Sequence, residues 1–177
     1  FMKRIINWGL DGLSNASLNL SKEFKKINNS KLIAVASLTK NKRDYFKKKF
    51  NLKKDNVYSD YVNIFKNKNV DIIYIGLPNS MHAKLCLDAL KNNKNVLVEK
   101  PITTNFKVFK KIKNEFLKKD LLLEEGTANK FHPFYKSIIK ILKKFKFSKI
   151  LKIKSLFGND ALGGKKVFGL RFKRIDY

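Results

Sequence analysis

Apolar and polar residues alternate along this chain in two textures. Short apolar runs rich in Val and Ile stop abruptly at Gly, Asn, Ser or Pro, and between them lie longer stretches whose apolar residues recur three and four apart among lysines. The first texture is that of a buried strand and the second that of an amphipathic helix. Strands are predicted at Arg4–Leu10, Lys31–Ser37, Val70–Gly76, Asn95–Val98 and Leu121–Leu123. A first helix carries Leu18, Leu20, Phe24 and Ile27 and a second runs from Asp44 to Phe50, while a third follows Val57–Tyr61 and ends near Asn69. From His82 a helix turns Ala83, Cys86, Ala89 and Leu90 inward and Lys84, Asp88 and Lys91 outward. After a cap at Thr103–Asn105, the next buries Phe106, Phe109, Ile112 and Phe116, and a last one from about Phe134 carries Ile138, Ile139, Ile141, Leu142 and Phe145. Strands alternating with helices at this rhythm predict an α/β fold with a doubly wound parallel sheet over residues 1–127. A further strand at Ile150–Phe157 opens an α+β domain over residues 128–177.

Composition changes this picture little. At 44% hydrophobic and 12% aromatic residues, 177 residues can build a core. The net charge of +26, from 40 Lys and Arg against 14 Asp and Glu, raises the question of nucleic acid. The lysines spread over every predicted helix, with Asn and Ile also abundant, which reads as compositional bias filling solvated faces rather than as a binding footprint. We expect no specific nucleic-acid partner and no membrane partner, since no stretch has the length of a membrane span. Lys3 and Arg4 have no long apolar run behind them, so no signal peptide is expected. The single cysteine, Cys86, lies among apolar residues, which excludes a disulfide framework and a cysteine metal cluster and fits a reducing, cytoplasmic compartment.

Candidate chemistry gathers where the predicted strands end. The first runs into Gly12-Leu13-Ser14-Asn15-Ala16-Ser17 and then a helix, the context in which a G-x-G-x-x-G/A turn binds a dinucleotide diphosphate on helix amides. Only Gly12 matches strictly. Ser14 stands at the second glycine, where its Cβ would crowd the diphosphate although its hydroxyl could donate to it; Ser17 at the third position is small enough for helix packing. Asp11 puts a like charge near the diphosphate, which should weaken binding. The second strand ends at Ser37-Leu38-Thr39-Lys40 with no acid for a ribose 2′-hydroxyl; the hydroxyls and cations, including Lys42 and Arg43, favour a 2′-phosphate and thus NADP over NAD. Pro78-Asn79 and His82 follow the third strand. The fourth delivers Glu99, Lys100 and Pro101 at its carboxyl end, where open α/β sheets bind ligands.

Pro78-Asn79-x-x-His82, the Ala89-Leu90 helix and Val96-Leu97-x-Glu99-Lys100-Pro101 together give the chain a resemblance to the glucose-fructose oxidoreductase and inositol dehydrogenase (Gfo/Idh/MocA) family, from Ile5 to about Phe157. The segment from Glu125 to Phe131-His132-Pro133 resembles the domain junction of the dihydrodiol and xylose dehydrogenase-like branch, with Lys130 where that branch has arginine. The resemblance implies a Rossmann-like domain and NAD(P)-dependent oxidation or reduction at a hydroxyl or carbonyl carbon, commonly of a sugar or polyol. It implies that Lys100 is the catalytic residue beside the nicotinamide, holding or exchanging the proton of the reacting oxygen. Glu99 would contact the cofactor or pair with Lys100, Pro101 would follow a cis bond, and Asn79 and His82 would line the nicotinamide ribose. The residues alone leave His82 a second reading, a helix N-terminal imidazole satisfied internally. Gly12, Leu13, Ser14, Asn15, Ala16, Ser37, Thr39, Lys40, Pro78, Asn79, His82, Glu99 and Lys100 are thus the expected cofactor contacts, with no metal. The family's chains are about twice this length, so a fragment is expected whose full form is a homo-oligomer and which is itself inactive. The alternative is a non-catalytic dinucleotide-binding or scaffold protein in which the altered turn has lost catalysis.

Overall fold

The computed structural model describes residues 4–127 and 131–144. Six strands form one sheet: β1 (Ile6–Asp11), β2 (Ser30–Ala36), β3 (Val57–Tyr58), β4 (Ile72–Ile75), β5 (Asn95–Val98) and β6 (Leu123–Glu125). All pairs are parallel, in the order β3-β2-β1-β4-β5-β6. That is the doubly wound Rossmann-like order expected from the strand and helix rhythm, and its direction reverses between β1 and β4. Every strand end singled out in the sequence therefore lies on one edge.

Helices cover both faces. α1 (Asn15–Glu23) and α2 (Lys40–Phe50) lie on the side where Leu10, Leu13, Phe24, Leu32, Val35, Phe46 and Tyr74 are buried together. α3 (Asn79–Lys91) and α4 (Phe106–Lys118) close the other, where Ile73, Ile75, Leu85, Cys86, Ala89, Val96, Val98, Ile112 and Phe116 form the larger cluster. Alternate residues of a strand serve opposite layers, and the central β4 is buried on both.

The helix ends follow local chemistry. Ser14 caps α1 by accepting from Ser17 N, and Asn105 caps α4 by accepting from Val108 N at 3.2 Å. Asn51, Asn93 and Asp120 take the left-handed conformation just past α2, α3 and α4, which ends those helices. α2 starts at Lys40, four residues before the expected Asp44, and α3 at Asn79, three before His82. These first turns carry no apolar stripe, so periodicity passes over them.

Three expectations about packing are corrected. Val57–Tyr58 is an edge strand paired with Val35 and Ala36, and the helix expected up to Asn69 is one 3-10 turn, Asn63–Lys66. There the Asp60 carboxylate accepts from Val62 N and Asn63 N, which ties the segment into a tight turn. Phe106 is 67% exposed and lies outside the buried stripe of α4, and Ile27, 45% exposed, lies past both α1 and the 3-10 turn Phe24–Lys26. α1 instead turns Ser17 and Ser21 inward ahead of Phe24.

The chain divides into two compact units after Lys130. In the second, α5 (Pro133–Lys144) has the helical form expected from about Phe134. The strand expected at Ile150–Phe157, Phe145, and Lys130 lie outside the described residues.

Candidate active site

The switch point between β1 and β4 is closed by glycine. Gly12 has φ +86°, and a Cβ there would stand 2.6 Å from Leu77 Cγ and 3.0 Å from Gly76 O. Only glycine meets both conditions without strain. Across the gap, Gly76 N donates to Asp11 O at 2.8 Å, and a Cβ on Gly76 would stand 2.6 Å from Ser17 Oγ and 2.7 Å from Tyr74 Cε1. Gly76 thus lets α1 settle on the end of β4. Sequence reasoning missed this residue; its signal was a glycine directly after an apolar run.

The serines of the altered turn are absorbed by the helix. Ser14 Oγ accepts from Ser17 N at 3.3 Å, Ser14 N donates to Ser17 Oγ at 3.3 Å, and Ser17 Oγ donates to Gly12 O. This reciprocal capping box holds the Ser14 hydroxyl against Ser17 and near Gly76. Asn15 and Ala16 are exposed in the first turn of α1, where backbone N–H groups have no acceptor within the helix. Leu13 contributes backbone only, since its side chain is buried against the α1 side.

Asp11 differs from expectation. It is fully buried with both carboxyl oxygens unpartnered, and burial, with a smaller contribution from Asp60, pushes its pKa up to about 8. At neutral pH it is mostly protonated, so the like charge expected to repel a diphosphate is largely absent.

At the end of β2, Ser37 Oγ accepts from Thr39 N at 3.2 Å and Ser37 N donates to Tyr58 O at 3.1 Å. Thr39 occupies the cap position of α2 with its hydroxyl unused for capping. Lys40 pairs with Asp44 at 2.6 Å, whereas the Arg43 guanidinium donates to Ser37 O. Arg43, not Lys40, is therefore the cation anchored at this strand end.

Beyond β4, Pro78 and Asn79 are exposed at the start of α3. His82 is fully buried, with Nδ1 2.7 Å from Pro101 O and Nε2 2.7 Å from Leu77 O. This is the internally satisfied imidazole; its nitrogens are occupied by the loops after β4 and β5 and are not offered to a ribose. Carbonyls only accept, so a ring nitrogen that carries a proton donates to the carbonyl it faces.

After β5, the Lys100–Pro101 bond is cis, as the resemblance implied. Glu99 does not pair with Lys100: its Oε1 accepts from the Tyr74 hydroxyl at 2.7 Å. Lys100 is exposed and has no hydrogen-bond or ion-pair partner among the described residues. On the far side, Ile102 N donates to Glu125 Oε2 at 3.1 Å, and the Thr127 hydroxyl donates to Oε1 at 3.0 Å. The contacts of Tyr74 and Glu125 were not assigned by sequence reasoning, because they depend on which neighbouring strand each side chain reaches.

The edge thus offers a glycine turn with a free helix end, a basic strand terminus beside it, and an unpaired lysine next but one along the sheet. It suits an extended anionic ligand lying across the switch point. No group of three or more potential metal ligands occurs among the described residues. No helix among them is long and apolar enough to cross a membrane.

Residues 6–127 match the family described as an oxidoreductase family with an NAD-binding Rossmann fold. The chain is 28% identical over 127 residues to trans-1,2-dihydrobenzene-1,2-diol dehydrogenase of Xenopus tropicalis, covering 72% of this chain and 38% of that protein. It is 32% identical over 104 residues to D-xylose 1-dehydrogenase (NADP(+)) of Hypocrea jecorina, covering 58% and 27%. Among solved structures, scyllo-inositol dehydrogenase of Lactobacillus casei with NAD(H) and scyllo-inositol shares the fold at TM-score 0.75 and 22% identity, over 82% of this chain and 43% of that one. The chain spans less than half the length of these proteins. With the match covering most of its residues, this chain belongs to the Gfo/Idh/MocA oxidoreductase family, the family of the NAD-binding Rossmann fold.

Proposed function

We propose that this chain is the dinucleotide-binding part of an NAD(P)-dependent dehydrogenase or reductase acting at a hydroxyl or carbonyl carbon of a sugar, polyol or related diol. The observation that carries the proposal is Lys100, exposed and unpaired among the described residues, at the carboxyl end of β5 and on the same sheet edge as Gly12. The N–H groups of Asn15 and Ala16 at the start of α1 would hold the diphosphate, with the positive end of the helix dipole behind them. The bound nicotinamide would supply hydride transfer. Lys100 would hold the substrate oxygen and donate or accept its proton, a role suited to an ammonium group near a desolvated ligand. The substrate class is taken from relatives named for a diol, xylose and inositol.

NADP is favoured over NAD by the end of β2, where Ser37-Leu38-Thr39-Lys40 carries no acid and the Arg43 guanidinium donates to Ser37 O. Titrating the chain with NADPH and NADH, following nicotinamide emission and Trp8 quenching, is expected to give saturable binding with NADPH tighter. Tighter NADH binding would overturn the cofactor preference. In a form of the protein that turns over substrate, Lys100→Ala is expected to lower kcat by about 10²–10⁴-fold, as for loss of a general acid or base. Unchanged turnover would remove Lys100 from the chemistry. The other reading, a dinucleotide-binding or scaffold protein without catalysis, predicts saturable binding and no oxidation of any sugar or polyol.

A further inference from the structure

Each residue flanking Lys100 is tethered to a different element. Glu99 is held from β4 by Tyr74, Pro101 O from α3 by His82, and Ile102 N from the end of β6 by Glu125. The first tether is the unusual one, since it engages the only acid adjacent to the lysine in sequence. Tyr74 is 3% exposed, its ring packed beneath Gly76 in the α1-side layer. Burial, followed by the Glu99 carboxylate itself, pushes the phenol far above its ordinary range, so it remains a donor. The bond to Glu99 therefore runs in one direction at every working pH.

Glu99 and Lys100 are neighbours of opposite charge on long stems, half-buried and exposed respectively, past the last paired residue of β5. Left to themselves at a solvated rim they would attract each other. We infer that Tyr74 is a positioning residue that holds the Glu99 carboxylate on the α1 side of the sheet and so keeps the Lys100 ammonium unpaired for the oxygen of a substrate. The inference rests on Lys100 being the acid-base group, but its test needs no substrate and stands apart from turnover.

The full chain, as wild type, Tyr74→Phe, Glu99→Gln and Tyr74→Phe/Glu99→Gln, is given a brief pulse of acetic anhydride at fixed pH. Acetylation is read at every lysine by peptide mass spectrometry. An amine paired with a carboxylate holds its proton and acylates more slowly. In Tyr74→Phe the freed carboxylate turns to Lys100, and acetylation there falls about threefold to fivefold, the factor for an exposed ion pair. Remote lysines keep their rates, and the double variant returns Lys100 to the wild-type rate. A merely structural role for Tyr74 would not be reversed by removing the charge of Glu99. Glu99→Gln alone leaves Lys100 unchanged, because in the wild type that carboxylate is already withdrawn. An unchanged Lys100 rate in Tyr74→Phe, a fall that the double variant does not restore, or a faster rate in Glu99→Gln each overturns the inference. If Tyr74→Phe fails to fold, Glu99→Gln still tests the premise, since a faster Lys100 rate there means that Glu99 pairs with Lys100 despite Tyr74 and overturns the inference.

Discussion

Asp11 is a carboxyl group sealed beneath the dinucleotide turn with no hydrogen-bond partner, and its linkage to stability has a definite sign. In the unfolded chain it ionises near 3.8, and in the fold near 8. Between those values the native state holds a proton that the unfolded state has released, so stability falls as pH rises from about 4 to about 8, by at most about 1.4 kcal/mol per pH unit. Asp11→Asn is expected to remove this slope, and urea denaturation between pH 5 and pH 9 checks it; an identical slope in both proteins would mean that another group is responsible. Gly12 is constrained by geometry instead. Gly12→Ala forces a left-handed alanine against Leu77 and is expected to destabilise the fold by about 1–3 kcal/mol and weaken NADPH binding, read by denaturation and fluorescence titration. Cys86, fully buried with its thiol pushed up to about 12, is a core residue, as its apolar surroundings in the sequence suggested.

At the scale of elements, the site depends on how closely α1 approaches β4. Gly76→Ala would place a methyl group 2.6 Å from Ser17 Oγ and 2.7 Å from the Tyr74 ring. It is expected to cost about 1–3 kcal/mol as an overpacked contact and to lower cofactor affinity by moving the helix end. Combining it with Ser17→Gly removes the nearest obstacle and should recover part of that stability by the same denaturation measurement. The contact was illegible beforehand because Gly76 and Ser17 lie far apart in sequence. The strands were legible, since β2, β4 and β5 carry short continuous apolar runs, fully buried in β4 and buried at alternate residues in β5. The 3-10 turn at Asn63–Lys66 was not, because Ile64 and Phe65 supply buried apolar residues without a helical period.

Across the whole molecule the net charge of +26 sets a background of self-repulsion. Raising ionic strength from about 0.01 M to about 0.15 M shortens the screening length from about 30 Å to about 8 Å. The thermal midpoint is therefore expected to rise over that range, and a midpoint that falls would mean that attractive surface pairs outweigh the repulsion. The described ion pairs, such as Lys40 with Asp44 and Lys118 with Glu115, are exposed, which limits what screening removes. One lysine departs from the solvated pattern. Lys94 is buried at the opposite edge of the sheet, donating to Asn67 O at 2.6 Å and Val70 O at 2.7 Å, and burial lowers its pKa.

The sequence by itself determined the alternation of strand and helix, the parallel sheet, the residues at the strand ends and the family, because burial on both faces, turn chemistry and local motifs are written in neighbouring residues. Tertiary structure decided what those residues do to one another. It turned the serines of the altered turn into a helix cap, raised the pKa of Asp11 by burial, closed His82 between two carbonyls, gave Glu99 to Tyr74 instead of Lys100, and of the cations after β2 anchored Arg43 on Ser37 O while Lys40 paired with Asp44. Each of these outcomes depends on distance across strands or on exclusion of water, and neither quantity exists until the sheet has formed.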